Sequence, residues 1–380
     1  MKAIEKVRVS KSNGPLRGRV LQIKSLVGDF ETPTRVPNSS ELNAKIRTHF
    51  DEPWDNLVFE VANRFADTDQ VSALHQRNGT WAHRRRGLAA FVDRFTGYAL
   101  TKYYPQLPSD ARLSDRDIMC LVDLQLEAGF QVITLPEPYP TCTPERFERN
   151  LRRAWEQVER ARPEAAVMPY VSVRQGPSSF KQKLRVLRQH ENSLWALGIR
   201  FGSPFEYRPN YFELAEFSSR PFWVHASGVR RYLSPENPAG QLHALERFGI
   251  DTVSAEVPQP PTTPSLDYSR VRYFDRRTVT YPQISSVVSK GERLPCNCPV
   301  CRRQSLEALV GNLKKLEPPG EIALRVNNAA RVHEVYSSTD EFEAVRTTIR
   351  EGALDSYFRK KEGLREFTFA DSRQRRLPEG

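Results

Sequence analysis

Short apolar runs alternate with amphipathic helical stretches through the middle of this chain, and that alternation limits its fold more than any other feature. NLVFEVA, FQVITLP, VMPYVSV, WALGIRFG, PFWVHAS and DTVSAEV read as strands. Leu113–Ala128, PERFERNLRRAWEQVERA, FKQKLRVLRQHE and AGQLHALERFG read as helices. Such alternation over roughly 230 residues gives a parallel sheet, because each return to the sheet needs a crossover. The predicted fold is therefore α/β, closed as a (β/α)8 TIM barrel, with a doubly wound sheet as the alternative. No G-x-G-x-x-G or P-loop follows a strand, which argues against a nucleotide-binding sheet.

Local signals place several elements. Thr143 is an N-cap and Pro144 a first helical residue for the stretch 144–161. Its apolar stripe is Phe147, Leu151, Ala154, Trp155 and Val158, with arginines on the other face. LRGRVLQIKSLVGDFETPTR at 16–35 reads as a hairpin turning at Gly28-Asp29. LAAFV reads as a weak strand, followed by a loop, FVDRFTGYALTK, that carries Asp93. The expected division is an N-terminal β hairpin and first strands at 1–40, a (β/α)8 barrel at 41–290, a zinc-binding subdomain with closing helices at 291–360, and a polar tail at 361–380.

Three cysteines, Cys296, Cys298 and Cys301, fall within LPCNCPVCRR. A C-x-C-x-x-C turn stiffened by Pro295 and Pro299 suits a metal better than disulfides. His333 is the one histidine after Cys301 and the natural fourth ligand, just after a strand-like stretch IALRVNNAARV. Four protein ligands leave no open position, so the expectation is a structural Zn2+. Cys120 and Cys142 lie apart from this group.

Composition narrows the partners. The 57 Lys and Arg against 46 Asp and Glu leave a net charge of +11, which favours a polyanion. An apolar content of 39% with 10% aromatics is enough to fill a core. No apolar run of about 18 residues is present, so no membrane span is expected. MKAIEKVRVSKSNG lacks an apolar signal region, and the expected location is cytoplasmic.

Together with the segments downstream of it, the cysteine turn resembles the queuine and archaeosine tRNA-guanine transglycosylase family. The resembling pieces are Cys296 to Cys301, then His333-Glu334-Val335-Tyr336, then the helix DEFEAVRTTIREGALDSYF. Other pieces keep the family's order: ETPTRVPN at 31–38, LPEPYPTCTPERFERNLRRAW, VRQG at 173–176, ALGIRFG and HALERFGIDTVS. The resemblance implies a pentosyltransferase that flips a guanosine out of a polynucleotide. A carboxylate attacks C1′ and expels guanine, and a 7-deazaguanine base then takes the sugar back.

Residue by residue, the resemblance implies Asp93 as the acid of the base pocket. It implies Gln175 and Gly176 as readers of the base edge, and Gly202 as the point of close backbone approach. At the nucleophile it places Ser254, with Asp251 at the earlier aspartate. Asp251 is the expected nucleophile, with Glu256, Asp267 and Asp275 as alternatives. The family's second pocket aspartate falls on Thr134 or is replaced by Glu137.

The expected substrate is DNA, as in the branch of the family that inserts bases of the 7-cyano-7-deazaguanine type into DNA. The alternatives are tRNA, or a non-catalytic zinc-stabilised nucleic-acid-binding subunit of such an enzyme. The run His83-Arg84-Arg85-Arg86 and the loop Arg270–Arg277, with Tyr273 and Phe274, are expected to follow the duplex and fill the gap left by the base. A homodimer or accessory proteins of a DNA-modification system are the further partners implied.

Overall fold

The computed structural model describes residues 2–14, 18–41, 57–108, 111–137, 142–190, 194–257, 267–289, 296, 298–303, 306–316 and 319–368. Two compact units divide the chain. The first holds 1–39, 55–229 and 246–257; the second holds 40–54, 230–245 and 258–380.

The first unit opens with an antiparallel sheet of β1 (Ile4–Ser12), β2 (Arg19–Ser25) and β3 (Gly28–Glu31). The register Ser25↔Gly28 puts the turn at Leu26-Val27, so Gly28 and Asp29 begin a strand and are not the turn. Eight further strands follow: β4 (Thr34–Arg35), β5 (Val58–Arg64), β6 (Leu100–Gln106), β7 (Val132–Leu135), β8 (Ala166–Ser172), β9 (Ala196–Arg200), β10 (Trp223–Val229) and β11 (Thr252–Ala255). They form one sheet in the order β4-β11-β10-β9-β8-β7-β6-β5, and every ladder in it is parallel. Its two ends meet: Asn38, just beyond β4, bridges to Glu60 on β5, with Glu60 N–H donating to Pro37 O and Ser39 N–H to Glu60 O. This curled parallel sheet has a (β/α)8-like order.

The crossover helices show why the sequence gives this order. Asp115–Ala128 starts with a capping box between Ser114 and Asp117 and ends at Gly129, whose φ of 90° closes the helix. Pro144–Ala161 is capped by Thr143, which accepts from Arg146 N–H, and buries Phe147, Leu151, Ala154 and Val158. Pro177–Gln189 and Arg208–Phe217 follow β8 and β9. Three expectations fail. LAAFV lies inside the helix Gly79–Phe95, which Asn78 caps, and the strand after it is LTKYYPQ. AGQLHALERFG gives only a 3-10 segment, Leu242–Phe248, cut short at Gly249 with φ +76°. IALRVNNAARV is not strand-like but lies within the 32-residue helix Pro319–Arg350 of the second unit.

The second unit adds helices Ile284–Ser289, Pro299–Arg303, Leu306–Leu316 and Leu354–Lys360 to that long helix. Tyr273, Ile284, Val310, Ile322, Val326 and Ala330 form its apolar cluster. Among the described residues, no helix is long and apolar enough to cross a membrane.

Candidate metal centre and barrel interior

In the second unit the cysteine turn and the long helix bring four ligand atoms together. One ligand atom from each of Cys296, Cys298, Cys301 and His333 lies within 4.8 Å of the others. His333 Nδ1 is 3.4 Å from the sulfurs of both Cys298 and Cys301. Tetrahedral geometry at the usual Zn–S and Zn–N lengths asks for S···N separations of about 3.5 Å. The imidazole is oriented from behind, because its Nε2 lies 2.7 Å from the Phe274 carbonyl. A carbonyl only accepts, so Nε2 carries the hydrogen and Nδ1 presents its lone pair to the sulfurs. The cluster can therefore hold a metal ion with four protein ligands, as the C-x-C-x-x-C spacing and His333 led one to expect.

Tyr273 and Phe274 were expected at a nucleic-acid surface. Both are 1% exposed: Tyr273 stacks on His333, and Phe274 stacks on His243. The neighbouring Arg276 and Arg277 are held by Glu341 and Asp275.

In the first unit, the curled sheet encloses charge where bulky aliphatics usually pack. Glu60 is fully buried and its carboxylate accepts from Lys102 Nζ, from Ser227 Oγ, and from Ser254 Oγ at 2.6 Å, with His225 Nε2 3.1 Å away. These donors come from β6, β10 and β11, of which only β6 is a ladder neighbour of β5, so the side chains meet inside the curl. Lys102 also donates to Tyr170 O–H at 2.9 Å and to Ser227 at 3.1 Å. His225 Nδ1 meets Thr252 Oγ1 at 2.7 Å. Gly198 makes room for this layer, since a Cβ there would sit 2.3 Å from the Tyr170 ring. Burial alone would raise the Glu60 pKa, but the Lys102 ammonium and the His225 contact hold the carboxyl well below the usual range. Burial and the Lys102 charge pull His225 down to about 4, so the imidazole is neutral.

At the C-terminal ends of the strands, Tyr104 and Tyr170 stack at 5.7 Å and line a shallow pocket with Glu137 and Arg200. Burial pushes the Tyr104 hydroxyl up to about 12 against the nearby Arg200 and Arg174 charges, with Glu60 and Glu256 adding to the rise. Glu256 is half-buried just past β11, where its N–H donates to Val229 O.

Of the expected site residues, Gln175, Gly176 and Gly202 lie past the C-terminal ends of β8 and β9, on the side of this mouth, whereas the two aspartates do not. Asp93 is exposed near the end of the helix that leads into β6, on the side of the strands' N-terminal ends. Asp251 also precedes its strand. It is 1% exposed and clamped by Arg19, whose Nε donates to Oδ1 at 2.9 Å, while Val224 N–H donates to Oδ2 at 2.7 Å. Burial raises its pKa despite Arg19. In a barrel, chemistry belongs to the opposite ends of the strands. Gln175 is engaged on both amide atoms: it donates to Ser172 O at 2.6 Å and accepts from Lys183 at 2.7 Å. Gly176 precedes the helix Pro177–Gln189 with open space beside it. Gly202 is already approached closely by the chain's own Tyr207 and Arg174.

The alternatives also have definite places. Glu137 is buried, paired with Lys183 and bonded by Ser172 N–H. Thr134 is buried and tied to Gln125. Asp267 caps the short turn Tyr268–Arg270. The PYP segment at 138–140 and the tail beyond 368 lie outside the described residues.

The inward ion pair of Glu60 and Lys102 was not expected from the sequence. Its signal was a charged residue at an interior position of an apolar run, Glu60 in NLVFEVA. The fold and cluster thus define a (β/α)8-like protein with a Cys3His cluster that could hold a metal ion. No protein-family model matches the chain, and no curated protein matches it.

Proposed function

We propose that this protein exchanges guanine for a 7-deazaguanine base in DNA, on a barrel whose companion unit is held by structural zinc. The Cys3His set carries the reading: three sulfurs on one turn, and a histidine fixed by the Phe274 carbonyl on the long helix that follows a (β/α)8-like chain. Its donor set suits zinc, which favours thiolate with imidazole in a closed tetrahedron. Bound there, zinc would hold the turn against the helix. It would take no part in the exchange.

The chemistry then falls to the mouth. Glu256 is the best-placed carboxylate, on the same strand face as Ser254 and at the C-terminal end of β11. Its oxygen attacks C1′ as the bond to guanine N9 breaks, and the departing base takes a proton from water. The incoming base gives its N9 proton to the hydroxide so formed, bonds C1′ and releases the carboxylate. A serine hydroxyl on C1′ would give a stable acetal and not a glycosyl ester that can turn over, and the Ser254 hydroxyl is bonded to Glu60. Arg174 and Arg200 beside Tyr104 supply positive charge where a nucleotide would enter.

The test is covalent capture. Incubated with guanine-containing DNA, the protein is expected to yield a denaturation-resistant adduct and to exchange labelled guanine. Glu256→Gln is expected to lose both while keeping its fold. Exchange into tRNA alone would overturn the choice of DNA. The serine at position 254 favours a second reading, a zinc-stabilised nucleic-acid-binding subunit without catalysis. Tight DNA binding with neither adduct nor exchange would establish that reading over the first.

A further inference from the structure

Two hydroxyl groups touch the sulfur cluster from outside the ligand set. Tyr273 Oη lies 2.9 Å from Cys301 Sγ, and Ser337 Oγ lies 3.0 Å from Cys296 Sγ. Tyr273 also stacks face to face on His333, with ring centroids 3.9 Å apart and planes 13° from parallel. Both residues are buried, so neither hydroxyl can turn to bulk water for a partner.

The direction of these hydrogen bonds follows from the ligand chemistry. Three thiolates and one neutral imidazole around a divalent ion carry a net charge of −1. A metal-bound sulfur has lone pairs and no hydrogen, so each hydroxyl must be the donor. Ser337 has one hydrogen and two nearby acceptors, because His333 Nδ1 is 3.2 Å away. Once Nδ1 binds a metal its lone pair is used, and the Ser337 hydrogen is left for Cys296. Backbone amides act in the same sense: Cys298 N–H reaches Cys296 Sγ at 3.3 Å, and Cys301 N–H reaches Cys298 Sγ at 3.4 Å.

We infer that Tyr273 and Ser337 are positioning residues of the metal centre: their hydroxyls donate to the Cys301 and Cys296 thiolates, offset the negative charge of the cluster and slow loss of the metal. This rests on the zinc reading above. Tyr273 has the larger part, since its hydroxyl bonds one ligand while its ring orients another.

The experiment uses the full chain loaded with zinc, or with cobalt(II) as a spectroscopic stand-in. Tyr273→Phe keeps the ring stack and removes only the hydroxyl. It is expected to speed zinc release to a chromogenic chelator by about ten- to a hundredfold. With one donor gone, Cys301 becomes a stronger electron donor, so the sulfur-to-cobalt charge-transfer band is expected to move to longer wavelength. Ser337→Ala is expected to do the same to a smaller extent, and Tyr273→Leu to add the loss of the stacked ring. If Tyr273→Phe binds cobalt with an unchanged spectrum and releases zinc at the parent rate, the inference is overturned. If the parent chain itself takes up neither metal, it is the zinc reading that fails, and the two failures are told apart by the parent alone.

Discussion

The barrel interior and the cysteine cluster both bury polar groups, and they resolve that burden in opposite ways. Around Glu60 every donor points at an acceptor the protein already owns: Lys102, Ser227 and Ser254 all serve one carboxylate. Around His333 the acceptors point at each other, with three sulfurs and an imidazole lone pair converging within 4.8 Å. The first arrangement is complete from side chains alone. The second is like poles facing, and a cation would complete it. A buried polar group thus says little by its burial. Whether its neighbours are complementary or alike separates a structural network from a binding site.

The comparison can be broken most decisively at the cluster. Stripping the metal with a strong chelator, or replacing Cys298 with Ala, is expected to unfold the second unit, a loss on the order of 10 kcal/mol if the metal's binding energy is folding energy. Limited proteolysis with mass analysis checks it, and fragments from 296–350 should appear first. The same treatment should leave urea unfolding of the first unit unchanged.

The barrel network should respond to imbalance. Glu60→Leu leaves Lys102 buried without its counter-charge and is expected to cost about 3–5 kcal/mol in urea unfolding. The double variant Glu60→Leu with Lys102→Leu should recover at least half of that loss. A double variant as unstable as the single would mean the ion pair is not what holds the layer together. Next comes acid. Because His225 is held neutral, with its pKa near 4 against 6.5 when free, the unfolded chain binds more protons between those values. Stability is therefore full above pH 6.5 and declines as pH falls toward 4, by on the order of 3 kcal/mol. His225→Gln should flatten that part of the pH profile relative to the parent. The smallest effect is expected at Ser254→Ala, about 1–2 kcal/mol, since Glu60 keeps its other donors.

Much of this architecture was legible in the sequence because it rests on local patterns. The six apolar runs became β5, β7, β8, β9, β10 and β11, and Thr143 with Pro144 fixed the start of their helix. The metal ligands were legible for a similar reason: three of the four sit within six residues. What stayed hidden depends on partners far along the chain. LTKYYPQ does not look like a strand, because Lys102 interrupts its apolar run and Pro105 removes a donor. Its lysine is acceptable only because Glu60 faces it across the sheet. Asp251 looked available for chemistry because nothing near it in sequence reveals Arg19 as its partner. Asp93 was assigned to a loop because the helix signal for its segment, the Asn78 cap, stands at the far end.

The clamp between Arg19 and Asp251 also bears on the order of events in folding. Its two residues are 232 positions apart, and the ladder between β4 and β11 spans a similar separation. Closing so long a loop early would sacrifice chain entropy before the intervening strands could repay it. The strand pairs from β5 to β10 are each joined by a single short crossover, so they can assemble as the chain emerges from the ribosome. The first and last strands must wait for one another. A nascent chain stopped before residue 251 would carry the N-terminal hairpin with its arginine bonded only to the carbonyls of Ser218, Arg220 and Phe222 and lacking its counter-charge, and with one flank of the sheet unpaired, the kind of strand edge that recruits a neighbouring chain. The last stretch of synthesis of this unit is then its most aggregation-prone, and the arrival of one aspartate ends it.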